Sequence, residues 1–257
     1  MAVALLTTMA ATAAQLTVNV QTAGTLEAVI NAQSVTNITD LTITGKLGAP
    51  DIAYLRQCEG RIASLCTLNM RGATLVPSDE PYLIDNGFAF FISNEEKFVP
   101  AKSDPSATPV SYRGMFARSR ATGPFFAKAA EEEFDPDKYN CYYGKGLPGA
   151  FQWSPLEKII MPSDVKKVGM WTFANSNLLE TVEVPGGLTT IADNAFKGNV
   201  SLTNINLSGV TEIGAEAFSG CTGLTEVNLN NLQTIGESAF AGCSGITGIM
   251  ELPKLGL

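Results

Sequence analysis

The chain has 257 residues, 45% apolar and 16% charged, with a net charge of −8 and a pI near 4.7. An acidic protein of this kind repels nucleic acid and anionic membrane. It contains no histidine, which removes Ser-His-Asp and Cys-His machinery, the ordinary zinc sites and the commonest general base. Its charged fraction lies below the roughly 25% of ordinary soluble domains. Asn, Thr, Ser and Gly make up the polar surface instead, which suits a neutral β-rich exterior.

Residues 1–13 read as a secretory signal. The apolar run closes on Ala11-Thr12-Ala13 ahead of Ala14 and Gln15, the small-residue pattern of a cleavage site. It is too short and too weakly apolar to span a membrane. No Lys or Arg precedes Lys46, so the positive n-region is missing, and an alanine-rich helix is the alternative reading.

Residues 14–75 are expected to form an N-terminal cap with the first repeat-like strands. Leu41-Thr42-Ile43-Thr44-Gly45 alternates as a strand does, and Leu65-Cys66-Thr67-Leu68-Asn69-Met70 resumes that pattern. Between them Asp51-Ile52-Ala53-Tyr54-Leu55-Arg56 reads as a short helix with Asp51 near its start.

Residues 76–150 carry no clean repeat. Pro77, Pro81, Pro100, Pro105 and Pro109 favour a linker locally, yet 15 of the 21 aromatics lie between Tyr82 and Trp153. Disordered segments are aromatic-poor, so this region is expected to be an ordered insertion, or a set of degenerate rungs, with a small core of its own. Leu147-Pro148-Gly149-Ala150-Phe151 is expected to re-enter the repeats. Gly144-Lys145-Gly146-Leu147-Pro148-Gly149 spells G-x-G-x-x-G without the strand-turn-helix that a dinucleotide site requires. The acidic run Glu131-Glu132-Glu133-Phe134-Asp135-Pro136-Asp137 reads as a solvated surface. Asp135, Asp137 and Asn140 offer oxygen ligands for weak Ca²⁺ binding, though the glycine and distal glutamate of a calcium loop are missing. Paired carboxylates in 131–140 would also serve a hydrolase without histidine. The basic-aromatic stretch Tyr112–Arg120 could suggest single-stranded nucleic acid, but the acidic whole makes a salt-paired surface the expectation.

From 151 to 257 a phrase of about 22 residues recurs. Copies begin at Leu156, Leu179, Leu202, Leu224 and Ile246, and the fifth stops with the chain. Each follows Leu-x-x-Ile/Val-x-Ile/Val/Leu, then an apolar residue, then Ile/Val, then Phe. The two-residue alternation at Val182 and Val184, or Val227 and Leu229, is that of a strand with one buried face. Pro162, Pro185-Gly186-Gly187, Ser208-Gly209 and Asn230-Asn231 mark turns. Gly169, Gly214 and Gly236 recur where the backbone must bend without a side chain in the way. An open last rung would expose unpaired backbone, so the chain is expected to be part of a longer repeat protein.

Ile213-Gly214-Ala215-Glu216-Ala217-Phe218-Ser219-Gly220-Cys221 and Ile235-Gly236-Glu237-Ser238-Ala239-Phe240-Ala241-Gly242-Cys243 resemble the BspA-like class of leucine-rich repeats. The copy at Leu156 departs, with Trp171-Thr172-Phe173 for Ala-Phe and Ser176 for Cys. The copy at Leu179 has Ala192 for Gly and Asn199 for Cys. The expected fold is therefore a β-rich α/β solenoid. It would be a right-handed leucine-rich repeat stack of parallel strands with a 22–23-residue period, an N-terminal cap and an aromatic-rich insertion. The resemblance implies a non-enzymatic module of the cell surface or secreted space that attaches to extracellular or host surface proteins, with no cofactor.

Five cysteines, Cys58, Cys66, Cys141, Cys221 and Cys243, make a poor disulfide framework. Cys221 and Cys243 share a repeat position and are expected to stack as free thiols. Cys58 and Cys66 could pair. The residues between the buried strand positions would project outward as a grid, so the candidate ligand-binding set is Lys158, Thr181, Glu183, Asn204, Asn206, Glu226, Asn228 and Asn230. Its alternatives are a structural spacer and Ca²⁺-dependent carbohydrate binding or hydrolysis centred on 131–140.

Overall fold

The computed structural model describes residues 13–85, 88–106 and 135–247. Residues 1–12 of the segment read as a secretory signal, the stretch 112–120, the acidic residues 131–134 and the fifth repeat beyond Thr247 lie outside them.

The chain opens with β1 (Ala14–Val20), α1 (Leu26–Asn31), β2 (Ile38–Leu47), α2 (Ala49–Gln57) and β3 (Thr67–Leu75). The insertion contributes β4 (Leu83–Asp85), β5 (Phe88–Phe91), β6 (Lys97–Val99) and β7 (Asn140–Tyr143). The repeats then alternate two short strands per turn: β8 (Lys158–Ile160), β9 (Lys167–Val168), β10 (Thr181–Glu183), β11 (Thr190–Ile191), β12 (Asn204–Ile205), β13 (Glu212–Ile213) and β14 (Thr234–Ile235). The result is a parallel-strand solenoid of about eight turns with a period near 25 residues.

The first sheet runs β1-β2-β3-β8-β10-β12, all parallel. Leu16, Leu41, Leu68, Ile159, Val182 and Ile205 stand side by side in register as its inner column. The early turns are longer than the later ones. Gln15 pairs with Asp40 and Asp40 with Thr67, offsets of 25 and 27 residues, because helices fill the returns after β1 and β2. The second sheet, β9-β11-β13-β14, forms the other wall of the repeats. Between the walls Phe151, Phe173, Phe196, Phe218 and Phe240 stack, with ring centroids 5.8, 5.1, 5.1 and 5.1 Å apart. That spacing follows from the strand separation of about 4.8 Å: one ring per rung has nowhere to go but onto its neighbour.

Threonines reinforce the rungs, each hydroxyl donating to the carbonyl of the preceding rung that its own amide also reaches. The Thr189 hydroxyl donates to the Lys166 carbonyl and Thr211 to Thr189, while Thr203 donates to Glu180 and Thr225 to Thr203, at 3.2–3.4 Å.

Asp51 fastens the cap. At 1% exposure, it accepts the amides of Gly24 (2.6 Å), Leu26 (2.8 Å) and Gly48 (2.8 Å). The first links the turn after β1 to α2, the second reaches the start of α1, and the third caps α2 itself. A residue read from sequence as a helix-start signal therefore holds three segments together.

β3 pairs directly with β8, Leu68 beside Ile159, so the chain between them leaves the first sheet and returns to the adjacent position. The departing segment folds as a mixed sheet ordered β4-β5-β7-β6. It does not pack only on itself, as its aromatic content suggests. Tyr82, Leu83, Phe88, Phe90 and Ile92 join the continuous core of the solenoid, and only Ala89, Phe91 and Cys141 form a separate cluster. The Tyr82 hydroxyl donates to the Pro148 carbonyl at 2.9 Å, and Lys167 pairs with Glu96 at 2.5 Å. A single four-stranded sheet could not bury that many aromatics alone; the end of the repeat stack supplies the missing wall.

Candidate functional site

The outward column of the first sheet is set by the same register as its core. Thr67, Lys158, Thr181 and Asn204 lie beside one another, and a bridge from Asn204 to Glu226 carries the row one rung further. Next to it, Asn69, Ile160 and Glu183 form a second column. Strand alternation places both columns on the solvent side, and Asn204, Asn206, Glu226, Asn228 and Asn230 are exposed. All eight residues selected from sequence thus project from one side of the stack or its exit turns, and they divide by role.

Glu183 is held between two cations, Lys158 at 2.6 Å and Arg71 at 2.5 Å. The bond from the Lys158 ammonium, with support from Arg71, keeps the Glu183 carboxyl below the usual carboxylate range. Arg71 escapes selection from sequence, because only the pairing of β3 with β8 brings it near Glu183. Asn206 and Asn228 act on their own turns: each side-chain oxygen accepts the amide two residues on, Ser208 and Asn230, at 3.1 Å. Asn69 does the same for Arg71. These are Asx-turns, which explain the recurrent Asn without a ligand. Thr181, Asn204 and Glu226 make no side-chain hydrogen bond to another described residue, so their polar groups face water across three consecutive rungs.

The other candidate chemistries are occupied elsewhere. Asn140 is buried and accepts the Ala101 amide at 2.8 Å, while Asp137 pairs with Lys102 at 2.5 Å. Among the described residues no group of three or more His, Cys, Asp or Glu could hold a metal ion. The G-x-G-x-x-G phrase has a packing explanation. Gly169 donates its amide to the Gly146 carbonyl at 2.7 Å, and a Cβ on Gly169 would lie 2.7 Å from that oxygen. Glycine here permits close contact between rungs, and no helix follows.

All five cysteines are free. Cys221 and Cys243 occupy the position of Ser176, and all three side chains bond to the preceding rung in the same way. Ser176 donates to the Phe151 carbonyl (2.8 Å), Cys221 to Phe196 (3.1 Å) and Cys243 to Phe218 (3.0 Å). The contact with Cys243, together with burial, pushes the Cys221 thiol up. Burial likewise pushes Cys58 up to about 11. Since only the thiolate reacts, iodoacetamide is expected to alkylate Cys58 slowly at pH 8, the rate rising about tenfold per pH unit towards 11. Mass spectrometry of the 58-containing peptide checks this; a rate already at plateau at pH 9 would contradict it.

A stack of short parallel strands, an inner phenylalanine ladder and an outward polar grid define a leucine-rich repeat solenoid. Residues 148–254 match the BspA type leucine rich repeat region in six copies. A leucine-rich repeat protein of T. pallidum matches with 21% identity over 42% of this chain and 69% of its own, at a TM-score of 0.25. One from Bacteroides ovatus matches with 25% identity over 40% of this chain and 38% of its own, at a TM-score of 0.22. No curated protein matches the chain. BspA-type repeats are typically found in bacterial surface proteins, and the family is generally non-enzymatic. Among the described residues no helix is long and apolar enough to cross a membrane.

Proposed function

We propose that the protein is an exported, non-enzymatic adhesion module that recognises an extracellular or host surface protein through the outward face of its first sheet. The observation that carries the reading is the row Thr181, Asn204 and Glu226. These polar side chains stand in register on adjacent rungs and none is used by the fold. A rigid scaffold fixes their spacing before binding, so little conformational freedom is lost when a partner docks. The Lys158–Glu183–Arg71 cluster at one end of the row adds a charge pattern that would set orientation more than affinity.

The test is to pass the purified chain over an array of extracellular-matrix proteins and glycans, with and without Ca²⁺. Binding to a matrix protein that persists in chelator is expected. A response confined to glycans and dependent on Ca²⁺ would instead favour the 131–140 region, and no response at all would favour a spacer.

A further inference from the structure

The corner that follows each stacked phenylalanine repeats residue by residue. Trp153, Asn175, Gly198, Gly220 and Gly242 form one column, because each amide donates to the next rung at the equivalent place: Trp153 to the Ala174 carbonyl (3.0 Å), Asn175 to Lys197 (2.7 Å), Gly198 to Ser219 (2.8 Å) and Gly220 to Ala241 (2.7 Å). All five have left-handed backbones, with φ of 60°, 58°, 76°, 78° and 72°. Glycine and asparagine suit that conformation, whereas a tryptophan is strained in it. Packing does not offset the strain at Trp153, which is 52% exposed.

Two neighbouring columns depart from their pattern at the same corner. Val200, 44% exposed, stands where other rungs have Asn177, Thr222 and Ser244; Leu178, 55% exposed, stands where they have Ser201, Gly223 and Gly245. Three consecutive rungs thus carry a large apolar side chain facing water where the fold asks for a small or polar residue. Strain and exposed apolar surface held without a folding benefit point to use elsewhere. Beside this corner, at the entry to the strands, Glu157 and Glu180 are both exposed and lie on adjacent rungs, the Glu180 amide donating to the Glu157 carbonyl at 2.8 Å. Neither carboxylate has an ion-pair partner among the described residues.

We propose that this corner is a docking surface for a protein segment presenting an apolar side chain flanked by lysine or arginine. Trp153, Leu178 and Val200 supply the apolar contact, with tryptophan the residue type most enriched at binding hot spots. Glu157 and Glu180 supply the complementary charge, and the indole face also attracts a cationic group. The surface is separate from the strand row and does not rest on that reading.

The test uses two fluorescein-labelled peptides, one alternating lysine with leucine and phenylalanine, the other its glutamate-for-lysine counterpart, read by anisotropy at physiological salt. The basic peptide is expected to bind saturably and the acidic one not at all. Trp153→Gly should weaken binding at least tenfold while its Tm equals or exceeds that of the parent, since glycine relieves the left-handed strain. Glu157→Lys with Glu180→Lys should abolish binding in a chain that still folds. Equal affinity in Trp153→Gly, a fall in its Tm, equal binding of the acidic peptide, or no binding up to about 1 mM would each overturn the proposal. So would Trp153-dependent self-association that the peptide fails to compete away, which would make the corner an interface between copies.

Discussion

Phe196→Ala is expected to lower the stability of the solenoid by about 3–5 kcal/mol. The Phe196 ring is fully buried and stacks on both sides, 5.1 Å from Phe173 and 5.1 Å from Phe218. Its removal leaves a cavity inside the column and cuts the coupling between rungs on either side. Repeat proteins hold together through nearest-neighbour interfaces, so a central break does more damage than a terminal one. Phe240 is half-buried, with a described ring partner on one side only, Phe218. Phe240→Ala should therefore cost roughly half as much, within the spread of such substitutions. Urea denaturation of the two variants checks the comparison; equal midpoint shifts would mean that the ladder does not carry the coupling assigned to it.

Asp51→Ala should be nearly as severe, at about 3 kcal/mol or more, because three backbone amides lose their acceptor and an unmet buried donor costs about 1–3 kcal/mol. The loss falls on the junction of β1, α1 and α2 rather than on the repeats. Amide exchange at Gly24, Leu26 and Gly48 should accelerate together while Phe218 and its neighbours keep their protection. Asp51→Asn retains one acceptor oxygen and should fall between the parent and the alanine variant. Exchange unchanged at the three amides would show that other groups hold the junction.

Much of the repeat region is legible in the sequence because its constraint is local and periodic. Ile159, Val182 and Ile205 are buried, and their neighbours project outward, as two-residue alternation requires. Cys221 and Cys243 share a position and stack as free thiols, in keeping with their common place in the phrase. The helix around Asp51 can be read from its start signal, but its span of Ala49–Gln57 begins two residues earlier. What the sequence conceals depends on partners far along the chain. The Gly48, Gly24 and Leu26 amides around Asp51, Arg71 beside Glu183, and the core beneath Phe90 are all products of tertiary register. The two-residue strands of the second sheet are too short to show a period. Asn206 and Asn228 match both a ligand grid and a turn, and only the bonds to Ser208 and Asn230 separate the two. Trp153 is open to detection, since aligning the corner columns exposes a tryptophan among glycines; that comparison extends past the most regular part of the phrase.

A binding role for the row Thr181, Asn204 and Glu226 is tested most directly by one comparison on the matrix-protein surface that captures the chain. Changing all three residues to arginine should abolish capture without moving the Tm, because none of the three side chains supports the fold. Capture undiminished in that variant, at equal stability, would contradict a binding role for this face.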